Sequence, residues 1–184
     1  MNTEIELLKD IAARLTSAGF AYMVTGAMAL ALYGVPRMTR DIDIVIHLAD
    51  SDADKIATLF EEEYCLEPEG IRKAIARRQM FNIIHYEQVF KIDFVVRKDE
   101  PYRIKEFERR REFRVEEQTV YVVAPEDLVL SKLLWARDSG SEVQRRDIQQ
   151  LLANPAVALD YEYLDAWACT LGVATLLREV ANNA

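Results

Sequence analysis

The stretch GAMALALYGVPRMTRDIDIVI, residues 26–46, decides how this chain is to be read. Gly26 breaks off a short strand expected over residues 20–24. AMALALY then reads as a helix, with Gly34 and Pro36 as its stops. From Asp41 onward the pattern alternates: Ile42, Ile44 and Ile46 share one face, while Asp41, Asp43 and Val45 share the other. That is a strand with one buried face. Asp41 and Asp43 therefore project on the same side, roughly 7 Å apart along the chain, and can converge on one cation. A hard divalent ion such as Mg2+ takes carboxylate oxygens and commonly joins them to nucleotide phosphates. An isolated pair of this kind is short and common, and by itself reads more often as acidic positions on a solvent-facing strand.

Three further features favour the metal reading. Gly26 lies at a strand-to-helix turn, where exposed backbone N–H groups suit a phosphate. Asp93 sits in KIDFVV between Ile92 and Phe94, where an acid is costly unless paired, metal-bound or at a surface. Arg37 and Thr39 bring a guanidinium and a hydroxyl just upstream of Asp41.

Around this stretch the chain divides in two. The first part alternates helix and strand. Helices are expected over residues 3–18, over 51–62 behind a capping-box-like Ser51-x-x-Asp54, and over 70–78. Strands are expected over 80–86 and 89–96, joined at Glu87-Gln88 like a hairpin. A short helix begins the run PYRIKEFERRREFRVEE, followed by strands over 112–115 and 119–123. Beyond Ala124 everything reads as helix, over 125–138, 142–153, 160–169 and 171–181, with Pro125, Glu126 and Asp127 suiting a first turn. The fold class is α+β, with an α/β domain over 1–123 and a helical region over 124–184.

Composition narrows the class of protein. The 184 residues are 51% apolar and 29% charged, the balance of a soluble globular chain with no run long enough for a membrane span. The charged N-terminus does not resemble a signal peptide, so a cytoplasmic location is expected. A net charge of −8 argues against a surface given over wholly to nucleic acid. Cys65 and Cys169 have no metal-ligand spacing and read as buried or half-buried thiols. His47 and His85 lack a catalytic neighbour and read as structural.

The glycine turn, the helix and the Asp-hydrophobic-Asp pattern together resemble the DNA polymerase β-like nucleotidyltransferase superfamily. Within it, GAMALALYG…RMTRDIDIVI looks most like the AbiEii-type branch, which includes toxins of toxin-antitoxin systems. SKLLWAR at Ser131 to Arg137 and Arg146-Asp147 resemble that branch's later motifs, so the likeness covers about residues 20–152. It implies a nucleotidyltransferase-fold sheet whose cleft the helical region completes. It also implies transfer of a nucleoside monophosphate from an NTP such as ATP to an acceptor hydroxyl. Asp41, Asp43 and Asp93 would hold one or two Mg2+, with Asp93 activating the acceptor. Lys132 would contact the triphosphate and Asp147 would orient Lys132 or the nucleotide; Gly26, Ala27, Arg37 and Thr39 would line the nucleotide. Read without the resemblance, Lys132 and Asp147 are inward-facing groups that also fit a structural salt bridge, to each other or to Arg146.

The chain departs from the superfamily at Ala27, where glycine or serine is usual. A non-catalytic binding or regulatory protein is therefore the rival reading. The acceptor is open: Arg72, Lys73, Arg77 and Arg78, with Arg109, Arg110 and Arg111, would suit an RNA backbone such as a tRNA end. Interleaved acids would equally make these solvated faces. A small molecule or a protein is also open as acceptor. An antitoxin or a second copy is a further expected partner, and a third reading is a structural partner whose C-terminal helices dimerise or dock another chain, which an exposed apolar stripe of Leu164, Trp167, Ala168, Leu171 and Leu176 would support.

Overall fold

The structure, a computed structural model, describes residues 3–35, 37 and 39–182; Pro36, read as a helix stop, lies outside them. Two compact units are present, Met1–Thr25 with Met38–Val122, and Gly26–Arg37 with Val123–Ala184.

The first unit is built on a sheet. Its strands are β1 (Tyr22–Thr25), β2 (Asp41–Ile46), β3 (Tyr64–Cys65), β4 (Met80–His85), β5 (Lys91–Val96), β6 (Arg111–Val115) and β7 (Gln118–Val122). They lie in the order β3-β4-β5-β2-β1-β7-β6. β2 runs parallel to β5 and β1 to β7, while the remaining neighbours are antiparallel, so the sheet is mixed. The alternation in DIDIVI is realised, with every isoleucine buried and every intervening residue half-buried.

That buried face is the core of the unit. Ile42, Ile44, Ile46, Ile92, Phe94 and Val96 are shut off from solvent. Helix α1 (Thr3–Ser17) buries Leu7, Leu8, Ile11, Ala12 and Leu15, the spacing of one helical face. Phe60, from α3 (Ala53–Phe60), meets Phe94 at 5.8 Å between ring centroids, and Phe81 stacks on Phe94 at 5.1 Å. Helices α4 (Pro68–Ala76) and α5 (Pro101–Glu108) each begin on a proline, whose fixed φ suits a first helical turn.

Several local expectations are corrected. The segment expected as a helix from Ser51 opens as a 3-10 turn over Asp50–Asp52, and the capping box of Ser51 and Asp54 does not form. The Asp52 carboxylate instead accepts the Ala49 N–H at 2.8 Å. β3 was not foreseen, because two residues carry no readable period. β5 begins at Lys91 and not at Val89, which has φ +50 and cannot extend the ladder. Both cysteines are free and exposed.

The second unit comprises α2 (Gly26–Leu32), α6 (Pro125–Ser139), α7 (Glu142–Leu152), α8 (Tyr161–Thr170) and α9 (Ala174–Ala181). Residues 26–37, expected with the α/β part, group here because Ala27, Met28, Ala29 and Leu30 are all buried. The Tyr33 hydroxyl donates to the Val123 carbonyl at 2.8 Å, and the Asn154 amide donates to the Tyr33 carbonyl at 2.9 Å. Gly140 ends α6 with φ +66, a conformation glycine adopts without a Cβ penalty.

Glu126 and Asp127, read as partners of the helix dipole, are fully buried and also fasten α6 to the start of α8. Glu126 accepts the Asp160 N–H at 2.9 Å and Asp127 accepts the Tyr163 hydroxyl at 2.7 Å. The apolar stripe expected to be exposed is largely consumed by packing, with Leu164 and Ala168 buried and Trp167, Leu171 and Leu176 only part-exposed. Among the described residues no helix is long and apolar enough to cross a membrane.

Truncating the ring at the centre of the first core removes its contacts with Phe60 and Phe81 together. Phe94→Ala is expected to lower stability by about 3–5 kcal/mol in urea unfolding; a loss below about 1 kcal/mol would contradict this placement of the core.

Candidate active site

The parallel pairing of β2 with β5 sets Asp43 directly beside Asp93, and Asp41 beside Lys91. Side chains in register on adjacent strands share a face, and residues two apart on one strand share it too. Asp41, Asp43, Asp93 and Lys91 therefore all project from the face opposite the Phe94 core. Asp41 and Asp43 are half-buried, whereas Asp93 is only 5% exposed.

Asp93 is a buried acid with unequal oxygens. Its Oδ2 accepts the Lys91 ammonium at 2.6 Å, while its Oδ1 is buried without a hydrogen-bond partner. An orphaned carboxylate oxygen in such a place is costly unless something completes it, and a hard cation is the chemistry that does so. Asp41 Oδ1 accepts the Thr39 hydroxyl at 2.5 Å, so Thr39, expected at the nucleotide, orients the first carboxylate in this structure. Among the described residues no group of three or more His, Cys, Asp or Glu forms a ready metal cluster. The acid oxygens fit Mg2+ by type and by shared face, with Lys91 among them.

Lys91 was missed at the level of sequence, although its place two residues before Asp93 in KIDFVV marks it as sharing that side of the strand. Its pKa is raised, chiefly by the hydrogen bond to Asp93, with the charges of Asp93, Asp41 and Asp43 adding and partial burial opposing. The ammonium thus lies in the field of all three carboxylates.

In the helical unit, Lys132 on α6 and Asp147 on α7 form a second buried group. Lys132 Nζ donates to Asp147 Oδ2 at 2.8 Å and to Gln144 Oε1 at 2.9 Å, and both charged side chains are 6% exposed. Arg37 Nη1 donates to the same Asp147 oxygen at 2.7 Å. Asp147 therefore holds Lys132, and Arg37 shares the same carboxylate oxygen. Gln144 was not foreseen; its signal is the i, i+3 spacing to Asp147 on one helix face.

Gly26 has φ +64, the left-handed region open to glycine, at the point where β1 gives way to α2. Ala27 is buried and supplies no hydroxyl. Much of the basic surface is already engaged. Arg72 pairs with Asp54 and Glu69, Arg78 donates to the Leu48 carbonyl, and Arg110 donates to the Phe107 carbonyl and covers the Phe107 ring. Lys73 and Arg77 are exposed. His85 accepts backbone N–H groups of its turn at 3.3 Å, and His47 meets Phe107 edge-on, both structural arrangements.

The mixed sheet with its acid face has the fold of solved nucleotidyltransferase-like proteins. Three solved structures share that fold. One is an antigenic nucleotidyltransferase-like protein from Paracoccidioides brasiliensis, with 19% identity over 96% of this chain and 90% of that one, and a TM-score of 0.59. Another is the antibiotic-resistance factor ANT(2'')-Ia, with 11% identity over 98% and 97% and a TM-score of 0.64. The third is the lincosamide antibiotic adenylyltransferase LnuA, with 14% identity over 83% and 97% and a TM-score of 0.53. No curated protein matches the sequence significantly. The chain belongs to the AbiEii family, described as "Nucleotidyl transferase AbiEii toxin, Type IV TA system", whose match runs over residues 7–158.

Breaking the buried group in the helical unit leaves two cations around a missing carboxylate. Asp147→Ala is expected to cost about 3–5 kcal/mol of stability by denaturant unfolding. The double variant Asp147→Leu with Lys132→Met is expected to recover part of that loss, since it removes a buried charge together with its partner; no recovery would argue that Lys132 is held mainly by other groups.

Proposed function

We propose that this nucleotidyltransferase transfers NMP from an NTP to an acceptor hydroxyl in a Mg2+-dependent reaction, with Asp41, Asp43 and Asp93 as its metal ligands. The observation that carries the reading is the register of β2 on β5, which sets Asp43 beside a buried Asp93 with one unsatisfied oxygen. Mg2+, when bound, neutralises the triphosphate and stabilises the attacking and leaving oxygens of an in-line displacement. The chain's own residues do the rest. Thr39 holds Asp41 in one rotamer, and Asp93, beside Asp43 across the ladder, is placed to accept the acceptor hydroxyl's proton. In the helical unit Lys132, held by Asp147 and Gln144, is a fixed positive charge of the kind that suits phosphate, and Arg37 supports it through the same carboxylate. Gly26 and Ala27 contribute backbone N–H groups only, since Ala27 has no hydroxyl to offer.

For the acceptor we favour RNA, with Lys73 in α4 and Arg77 at its C-terminal cap as exposed phosphate contacts. The family description supports a role as the toxin of a toxin-antitoxin pair, with an antitoxin as its partner.

The test is incubation of the full chain with each labelled NTP, Mg2+ and separate pools of RNA, protein and small alcohols, followed by product analysis. Label is expected to enter RNA with release of pyrophosphate, and Asp43→Asn is expected to reduce transfer by at least about a hundredfold while its unfolding midpoint stays near that of wild type. Transfer by Asp43→Asn at the wild-type rate would overturn the metal assignment. Label in protein instead would replace the acceptor and leave the chemistry standing.

A further inference from the structure

The geometry points to Lys91 as a built-in counter-ion of the acid face, one that competes with a divalent cation for Asp93. The inference rests on the metal assignment above and goes beyond it. Lys91 is in register with Asp41 and two residues from Asp93 on the same side of β5, so its ammonium is carried by the same face as the three carboxylates. It holds Asp93 Oδ2 at 2.6 Å. A unit positive charge so placed repels a second cation over the same few ångströms and occupies an oxygen that the cation would use.

The two partners differ in freedom. The Asp93 side chain is 7% exposed and is fixed within the sheet, whereas that of Lys91 is 42% exposed. Lys91 can therefore swing its flexible stem toward solvent while Asp93 stays in place. Its interaction leaves Asp93 Oδ1 unpartnered, so the ammonium neutralises the acid face without filling every oxygen. Without Lys91, three carboxylates on neighbouring strand positions would repel one another whenever no metal is bound. With it, part of that repulsion is offset, and metal affinity is lowered by the work of displacing the ammonium.

Mn2+ binding to the full chain, followed by electron paramagnetic resonance and by calorimetry, tests this. Lys91→Met is expected to bind Mn2+ at least about fivefold more tightly than wild type. Lys98→Met, which removes the same charge from an exposed lysine paired with Glu100, is expected to bind like wild type. Lys91→Arg, which keeps the charge, is the check on folding and is also expected to stay near wild-type affinity. Equal affinities for Lys91→Met and Lys98→Met, or weaker binding by Lys91→Met, would overturn the role of Lys91 while leaving the metal site intact. Absence of Mn2+ binding by every protein, with Asp93→Asn indistinguishable from wild type, would overturn the metal site itself and this inference with it.

Discussion

The parallel ladder between β2 and β5 is the constraint on which the placement of the first unit's acids depends. A one-residue slip would turn every side chain of β2 to the opposite face, setting Asp41 and Asp43 into the aromatic core and the isoleucines into the acid cluster. Such a slip is prohibitive, because Ile42, Ile44 and Ile46 are fully buried against the same core as Phe94. The hydrophobic effect on one face thus fixes the position of three carboxylates on the other. That is an economical way to hold like charges together, since the energy that opposes their repulsion comes from apolar burial elsewhere in the same strands.

The helical unit solves a different problem by different means. Lys132 and Asp147 are both buried, and a buried ion pair adds little net stability unless its geometry is good and its remaining donors are used. Here Gln144 accepts from Lys132 and Arg37 donates to Asp147, so the pair is part of a hydrogen-bonded group that fixes the lysine's direction. Glu126 and Asp127 show the same economy in the first turn of α6. Each suits the positive end of the helix and each also ties down the beginning of α8.

Much of the carboxylate site was legible in the primary structure. The period of two in DIDIVI and the anomalous acid in KIDFVV identified Asp41, Asp43 and Asp93 as residues on strands. The resemblance to the AbiEii branch, carried by Gly26, the paired aspartates, Lys132 and Asp147, is matched by the family membership over residues 7–158. Less legible were the features that depend on which strand lies beside which. Lys91 gains its meaning from pairing with Asp41 across the ladder, and nothing in a local window announces that neighbour. Thr39 and Arg37 sit close together in sequence but serve different carboxylates, Asp41 and Asp147 respectively.

By itself, the sequence determined the types and most of the extents of the elements, because burial on one face imposes a period of 2 on strands and 3.6 on helices. It also carried the resemblance to the chemical family, through Gly26, the paired aspartates, Lys132 and Asp147 in order. Only the tertiary structure decided that residues 26–37 group with the C-terminal helices and that the fourth charged side chain on the acid face is a lysine. It also assigned the buried acids of α6 to fastening a neighbouring helix. These outcomes turn on contacts between segments up to about a hundred residues apart. Their energies come from packing and desolvation in three dimensions, which no local pattern encodes.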